Sequence, residues 1–154
     1  MLKLILLISF LLIVLFWAAF EQAGGLMNLY AEQKTDRNLL GWIVPASVFQ
    51  SVNSFFIITL ATIVGAFWLK WKKKGKEASS LFKIAIGIIV MALGFSFMSA
   101  ASVQYETEGS SAMYWLILAY LFHTIGELCA SPVSLSFINS GIPPTLVATT
   151  GTLR

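Results

Sequence analysis

The sequence predicts an all-α membrane protein with four transmembrane helices. It is 58% hydrophobic and only 11% charged, with mean hydropathy +0.84, where an ordinary soluble domain carries about 25% charged residues. Four apolar stretches, at about residues 3–31, 42–70, 81–103 and 112–138, reach the ~20 residues that a helix needs to cross a bilayer. Short polar runs separate them, so the bilayer is the first partner the composition implies.

The formal net charge of +3 is not a nucleic-acid signal. Six of the ten basic residues fall between Lys70 and Lys83, at the edges of apolar segments, as in the cytoplasmic loop of a membrane protein. Cys129 is the only cysteine, so no intrachain disulfide and no multi-cysteine metal site is available.

The first stretch is apolar from Leu2 to Phe20, broken only by Lys3 and Ser9. A cleaved signal peptide is disfavoured, because the run exceeds the usual 7–15 residue signal core and Trp17 and Phe20 crowd the small pair Ala18-Ala19. The helix is expected to continue through Glu21 to about Tyr30, with Trp17, Glu21, Gly24 and Asn28 on one stripe. Gly24-Gly25 marks a weak point or a close helix contact.

The run from Glu32 to Asn38 reads as a short loop, and Trp42 suits an interfacial position. Pro45 is tolerated in a first helical turn. The second span concentrates its polar residues early, at Ser47, Gln50, Ser51, Asn53 and Ser54. Such residues commonly hydrogen-bond across membrane helices. Trp68, Trp71 and the lysines around them mark a membrane boundary. The third span has no ionisable residue beyond Lys83 near its start, and Gly87, Gly94, Ser96 and Ala100 give it a close-packing surface. Gln104 to Ser111 reads as an acidic loop.

The fourth span carries His123, Glu127 and Ser131 at successive turns. A carboxylate at bilayer depth costs a few kcal/mol even on insertion scales, so Glu127 must face protein or water and is a candidate functional residue. The same holds for Glu21. Pro132 removes the hydrogen bond to the Leu128 carbonyl and is expected to kink the helix beside Glu127. The tail from Asn139, with Gly141, Pro143 and Pro144, is expected to begin as a loop. Four spans put Lys3, the Lys70–Lys83 cluster and Arg154 on one side, against Lys34 and Arg37 on the other. That bias places both termini in the cytoplasm.

Enzyme chemistry is not expected. HExxH, GxGxxG and phosphate-loop motifs are absent, and a single histidine cannot build a multi-histidine metal centre. His123, Glu127 and Ser131 stand in single file on one helix, which does not let them converge on one substrate atom as acyl transfer requires. Glu21 and Glu127 fit proton or cation sites better.

Three motifs then stand in order along the chain: Phe16-Trp17-Ala18-Ala19-Phe20-Glu21-Gln22-Ala23-Gly24-Gly25, Phe49-Gln50-Ser51-Val52-Asn53, and Gly126-Glu127-Leu128-Cys129-Ala130-Ser131-Pro132-Val133-Ser134-Leu135-Ser136. Together they resemble the seventh, eighth and tenth helices of the proton-dependent oligopeptide transporters of the major facilitator superfamily. The resemblance implies that residues 1–154 are a partial C-terminal six-helix bundle, helices seven to ten of twelve, in a proton-coupled symporter of di- and tripeptides in the inner membrane of a bacterium. It implies that Glu127 holds the peptide's amino-terminal ammonium with help from Asn53. Glu21 takes part in proton coupling, as does Glu127, and Trp17, Phe20 and Ser131 line the peptide cavity. The proton is then the coupling ion, with no other cofactor. The partners are short peptides, the N-terminal bundle with its basic residues, and the last two helices. The chain stops where helix eleven is expected, so a fragment inactive alone is the expectation; the alternative is a small four-helix membrane scaffold complete at this length.

Overall fold

A computed structural model of the chain describes residues 2–75 and 79–141. Helix α1 (Leu2–Phe20) is followed by a single 3₁₀ turn (Glu21–Ala23) and by α2 (Leu26–Lys34). The three pieces together make one membrane crossing. Three longer helices follow: α3 (Ala46–Lys73), α4 (Ser80–Glu108) and α5 (Met113–Gly141). Four helical stretches are thus long and apolar enough to cross a membrane.

The expected unbroken first helix is corrected by the structure. Consecutive glycines each cost a helix about 1 kcal/mol relative to alanine. The α-helix tightens into a 3₁₀ turn at Glu21–Ala23 just before Gly24-Gly25, and the Glu21 carbonyl accepts from both glycine N–H groups, at 3.2 and 3.3 Å. The stripe expected from Trp17 to Asn28 is therefore interrupted at its middle.

The loops are more ordered than expected. Glu32 belongs to α2, which runs to Lys34. The connection that follows is built of two-residue strands: β1 (Thr35–Asp36), β2 (Asn38–Leu39) and β3 (Trp42–Ile43). β2 and β3 pair antiparallel through a turn in which Leu40 and Gly41 both have positive φ, 53° and 89°, and Asn38 Oδ1 accepts the Gly41 N–H at 2.9 Å. Arg37 ties this hairpin down by donating to the Val44 carbonyl at 2.8 Å. β1 pairs in parallel with β4 (Ser111–Ala112), and the buried Thr35 and Ser111 hydroxyls lie 3.2 Å apart across that pair. The loops before α3 and before α5 are thereby fastened together.

Gln104 to Glu108, expected as loop, form the last turns of α4. Gly109, in the left-handed region at φ 79°, ends that helix by donating to the Tyr105 carbonyl. Gln104 Oε1 accepts the Ala112 N–H and the Trp115 Nε1–H, at 3.0 and 2.9 Å, which sets the start of α5 against the end of α4. α5 continues as helix through Pro132 to Gly141, so Asn139–Gly141 are helical rather than loop. Lys76 and the residues from 142 onward, including Pro143, Pro144 and Arg154, lie outside the described residues.

The tightest packing lies between α4 and α5. A Cβ on Gly126 would stand 2.8 Å from the Gly87 carbonyl oxygen, and one on Gly87 would stand 2.9 Å from that of Gly126. Backbones this close need residues without side chains, the usual solution where helices associate without a hydrophobic driving force. The largest buried apolar cluster joins α2, α3 and α5 through Met27, Ala31, Phe49, Leu116, Ala119 and Tyr120. α3 is otherwise exposed along most of its length, with Phe55, Ile58 and Ile63 on its open faces.

Candidate substrate site

The break after α1 frees backbone carbonyls, and side chains from two other helices take them up. The Ala23 carbonyl accepts a buried hydrogen bond from the Tyr120 hydroxyl of α5, at 2.8 Å. The Gly24 carbonyl accepts from Gln50 Nε2 of α3, at 3.2 Å. Three helices therefore meet at one irregular turn. Beside it opens a cleft of about 190 Å³ lined by Phe20, Glu21, Ala23, Gly24, Gln50, Asn53 and Tyr120.

Glu21 sits on the 3₁₀ turn at the mouth of this cleft, exposed. Asn53 approaches from α3, half-buried. Its Oδ1 accepts from the Thr124 hydroxyl of α5, and its side chain stands within interaction range of the Glu127 carboxyl. Glu127 is half-buried as a residue, but its Oε2 is buried and has no hydrogen-bond partner among the described residues. The structure thus brings Asn53 to Glu127 across 74 residues of sequence, and places Glu21 and Phe20 in the same cleft as Asn53.

Trp17 and Ser131 are placed differently. The Trp17 ring meets Phe20 edge-on, with centroids 5.6 Å apart. Trp17 also packs against the Phe16, Met91 and Ala130 cluster, toward α4 rather than into the cleft lining. Ser131 lies half-buried one turn beyond Glu127, outside the lining of the cleft.

His123, one turn before Glu127, belongs to the packing. It is fully buried, its Nδ1–H donates to the Ala119 carbonyl at 2.7 Å, and its ring meets Phe95 of α4 edge-on at 4.6 Å. Gly94 leaves the room it needs: a Cβ there would lie 2.6 Å from Nδ1. Among the described residues no three His, Cys, Asp or Glu side chains gather as a metal site.

Two participants carry no assignment from the sequence. Tyr120 and Thr124 lie in the same helix as Glu127, at positions i−7 and i−3, and so share its face. That spacing was the available signal. What it does not contain is the rotation of α5, which decides whether those side chains meet α3 or α4.

Four membrane-crossing helices, with a carboxylate, amides and hydroxyls drawn between them, define a segment of a multi-pass membrane protein. The chain belongs to the POT family: the PTR2 family model, described as POT family, matches residues 1–153. It is similar to the peptide transporter YePEPT of Yersinia enterocolitica, 40% identical over 136 residues that cover 85% of this chain and 27% of that protein. It is also similar to dipeptide and tripeptide permease B of Photorhabdus luminescens, 29% identical over 87% of this chain and 28% of the permease. Among solved structures it resembles a peptide transporter POT crystallised with sulfate, at TM-score 0.76 and 32% identity, over 94% of this chain and 29% of that one. The four helices are accordingly part of a major facilitator fold. The chain spans little more than a quarter of the length of the curated relatives it matches.

Proposed function

We propose that this segment forms the helix seven to ten portion of a proton-coupled symporter of di- and tripeptides, in the inner membrane of a bacterium with its termini on the cytoplasmic side. In this reading Glu127 receives the amino-terminal ammonium of the peptide and Asn53 assists it. Glu21 serves proton coupling, with Glu127 contributing. Phe20, Trp17 and Ser131 contribute to the cavity wall. The two relatives described above are named as a peptide transporter and as a dipeptide and tripeptide permease, and both support a peptide substrate. They also favour a transporter over a four-helix scaffold.

One observation carries the assignment of Glu127. Asn53 interacts with its carboxyl, while Oε2 is buried and has no hydrogen-bond partner among the described residues. A buried carboxylate is costly until a cation joins it. A primary ammonium supplies a charge and three donors in one small group, and charge-assisted hydrogen bonds are about twice as strong as neutral ones. An anionic substrate would instead meet like charge at Glu127. The open faces of α3 and of the Glu21 turn are where the N-terminal bundle and the last two helices would pack, since transporters of this kind bind substrate between two halves.

The test uses the full-length transporter that contains this segment. Glu127→Gln is expected to abolish binding of alanyl-alanine while leaving the protein folded. Glu21→Gln is expected to leave binding in place but remove the dependence of uptake on the proton gradient, read as proton-driven accumulation against exchange in proteoliposomes. Wild-type accumulation by both variants would refute the proposal.

A further inference from the structure

Thr124 is fully enclosed beside the site, with 0% of its surface exposed. Its hydroxyl has two acceptors in reach: Asn53 Oδ1, and the carbonyl of Tyr120 one turn back on α5, at 2.8 Å. A hydroxyl has one proton, so it can donate to only one of them. We infer that Thr124 is the positioning residue that decides which end of the Asn53 amide faces Glu127; this rests on the reading of Glu127 as the ammonium site.

The choice follows from donor and acceptor counting. If Thr124 donates to Tyr120, its oxygen must accept from the Asn53 NH₂ group. The Asn53 carbonyl oxygen then turns toward Glu127, and two acceptors confront each other. If Thr124 donates to Asn53 Oδ1, the NH₂ group turns toward Glu127 and donates to it. Every contact then pairs a donor with an acceptor, running from Thr124 to Asn53 to the carboxylate. The Tyr120 carbonyl loses little, because it already stands in the α-helical ladder and serine or threonine back-bonds to such carbonyls are optional. The ionised carboxylate therefore selects the second arrangement. It leaves Glu127 held from one side, with the buried Oε2, which has no hydrogen-bond partner among the described residues, remaining for the ammonium. A side chain at this position without a hydroxyl would leave Asn53 Oδ1 without its donor and the amide free to turn over.

The decisive measurement is equilibrium binding of alanyl-alanine by the full-length transporter. Thr124→Val keeps the shape and removes the hydroxyl; its Kd is expected to rise roughly tenfold, the effect of losing one hydrogen bond to a charged site. Thr124→Ser keeps the hydroxyl and is expected to stay within about twofold of wild type. Because Thr124 acts through Asn53, adding Thr124→Val to Asn53→Ala is expected to weaken binding no further, as a double-mutant cycle reads. A Thr124→Val protein that binds like wild type, a Thr124→Ser protein as weak as Thr124→Val, or additive losses in the cycle would each overturn the inference while leaving the ammonium site intact. Undiminished binding by Glu127→Gln would remove the site itself, and the inference with it.

Discussion

His123 and Glu127 stand one helical turn apart on α5 and are both ionisable, yet they belong to different interfaces. His123 turns to α4, where Gly94 and Phe95 enclose it; its Nδ1–H donates to the Ala119 carbonyl of its own helix, and its buried Nε2 has no hydrogen-bond partner among the described residues. Glu127 turns to α3, where it meets Asn53; Asn53 also lines the cleft beside Glu21, whose lining does not include Glu127. The α4 side of α5 is closed by glycines at backbone contact. The α3 side is held by polar side chains and has room beside it. The difference shows how one helix serves as both scaffold and site. Small residues lock one face so that the other can carry an incompletely paired charge without the helix shifting. If Glu127 receives a ligand as proposed, it needs such a rigid support, because the surrounding structure must not relax to satisfy it.

Substitutions on the two faces should therefore separate cleanly into loss of binding and loss of stability. The largest effect is expected from Glu127→Gln, which removes the charge that would meet the ammonium. Losing one partner of a buried charge pair costs about 3 kcal/mol, or on the order of a hundredfold in Kd. The melting temperature of the full-length protein is expected to hold or rise, because a buried unpaired carboxylate is gone. Next comes Gly126→Ala, whose Cβ would collide with the Gly87 carbonyl at 2.8 Å, a backbone atom that cannot rotate away. It is expected to destabilise the α4–α5 pair by about 1–3 kcal/mol. The measurement is a lowered thermal unfolding midpoint in detergent, with binding retained at temperatures where the protein is still folded. Binding lost before stability would show that the scaffold face is not separable from the site.

Tyr120→Phe is expected to cost about 1–2 kcal/mol of stability, because it orphans the buried Ala23 carbonyl at the break after α1. Gln50→Ala makes the same kind of cut at the Gly24 carbonyl, but from an exposed side chain with a longer bond of 3.2 Å. It is expected to cost about 0.5 kcal/mol. Equal effects at the two positions would mean that the turn is held by packing rather than by these hydrogen bonds.

The local properties of the chain were legible in its sequence. Length and hydropathy set the four crossings, because a bilayer imposes the same minimum on every spanning helix. The cost of a carboxylate in an apolar run singled out Glu21 and Glu127 without any knowledge of their neighbours. Gly24-Gly25 announced a weak point in the first crossing, although not that the helix would break there. The motifs resembling the oligopeptide transporters named Asn53 beside Glu127. What stayed hidden depended on the rotation of each helix about its axis. Neither the 3.6-residue period nor hydropathy says which face of α5 meets α3 and which meets α4, since both faces are buried in protein. Tertiary structure alone decided that His123 is packing and that Tyr120 and Gln50 donate to the carbonyls freed at the break. It also decided that Thr124 bonds Asn53, 71 positions away in the chain. The contacts between helices depend on close packing at Gly87 and Gly126 and within the apolar cluster around Tyr120, together with the loop ties before α3 and α5. Their partners are therefore fixed by the whole bundle rather than by any one segment.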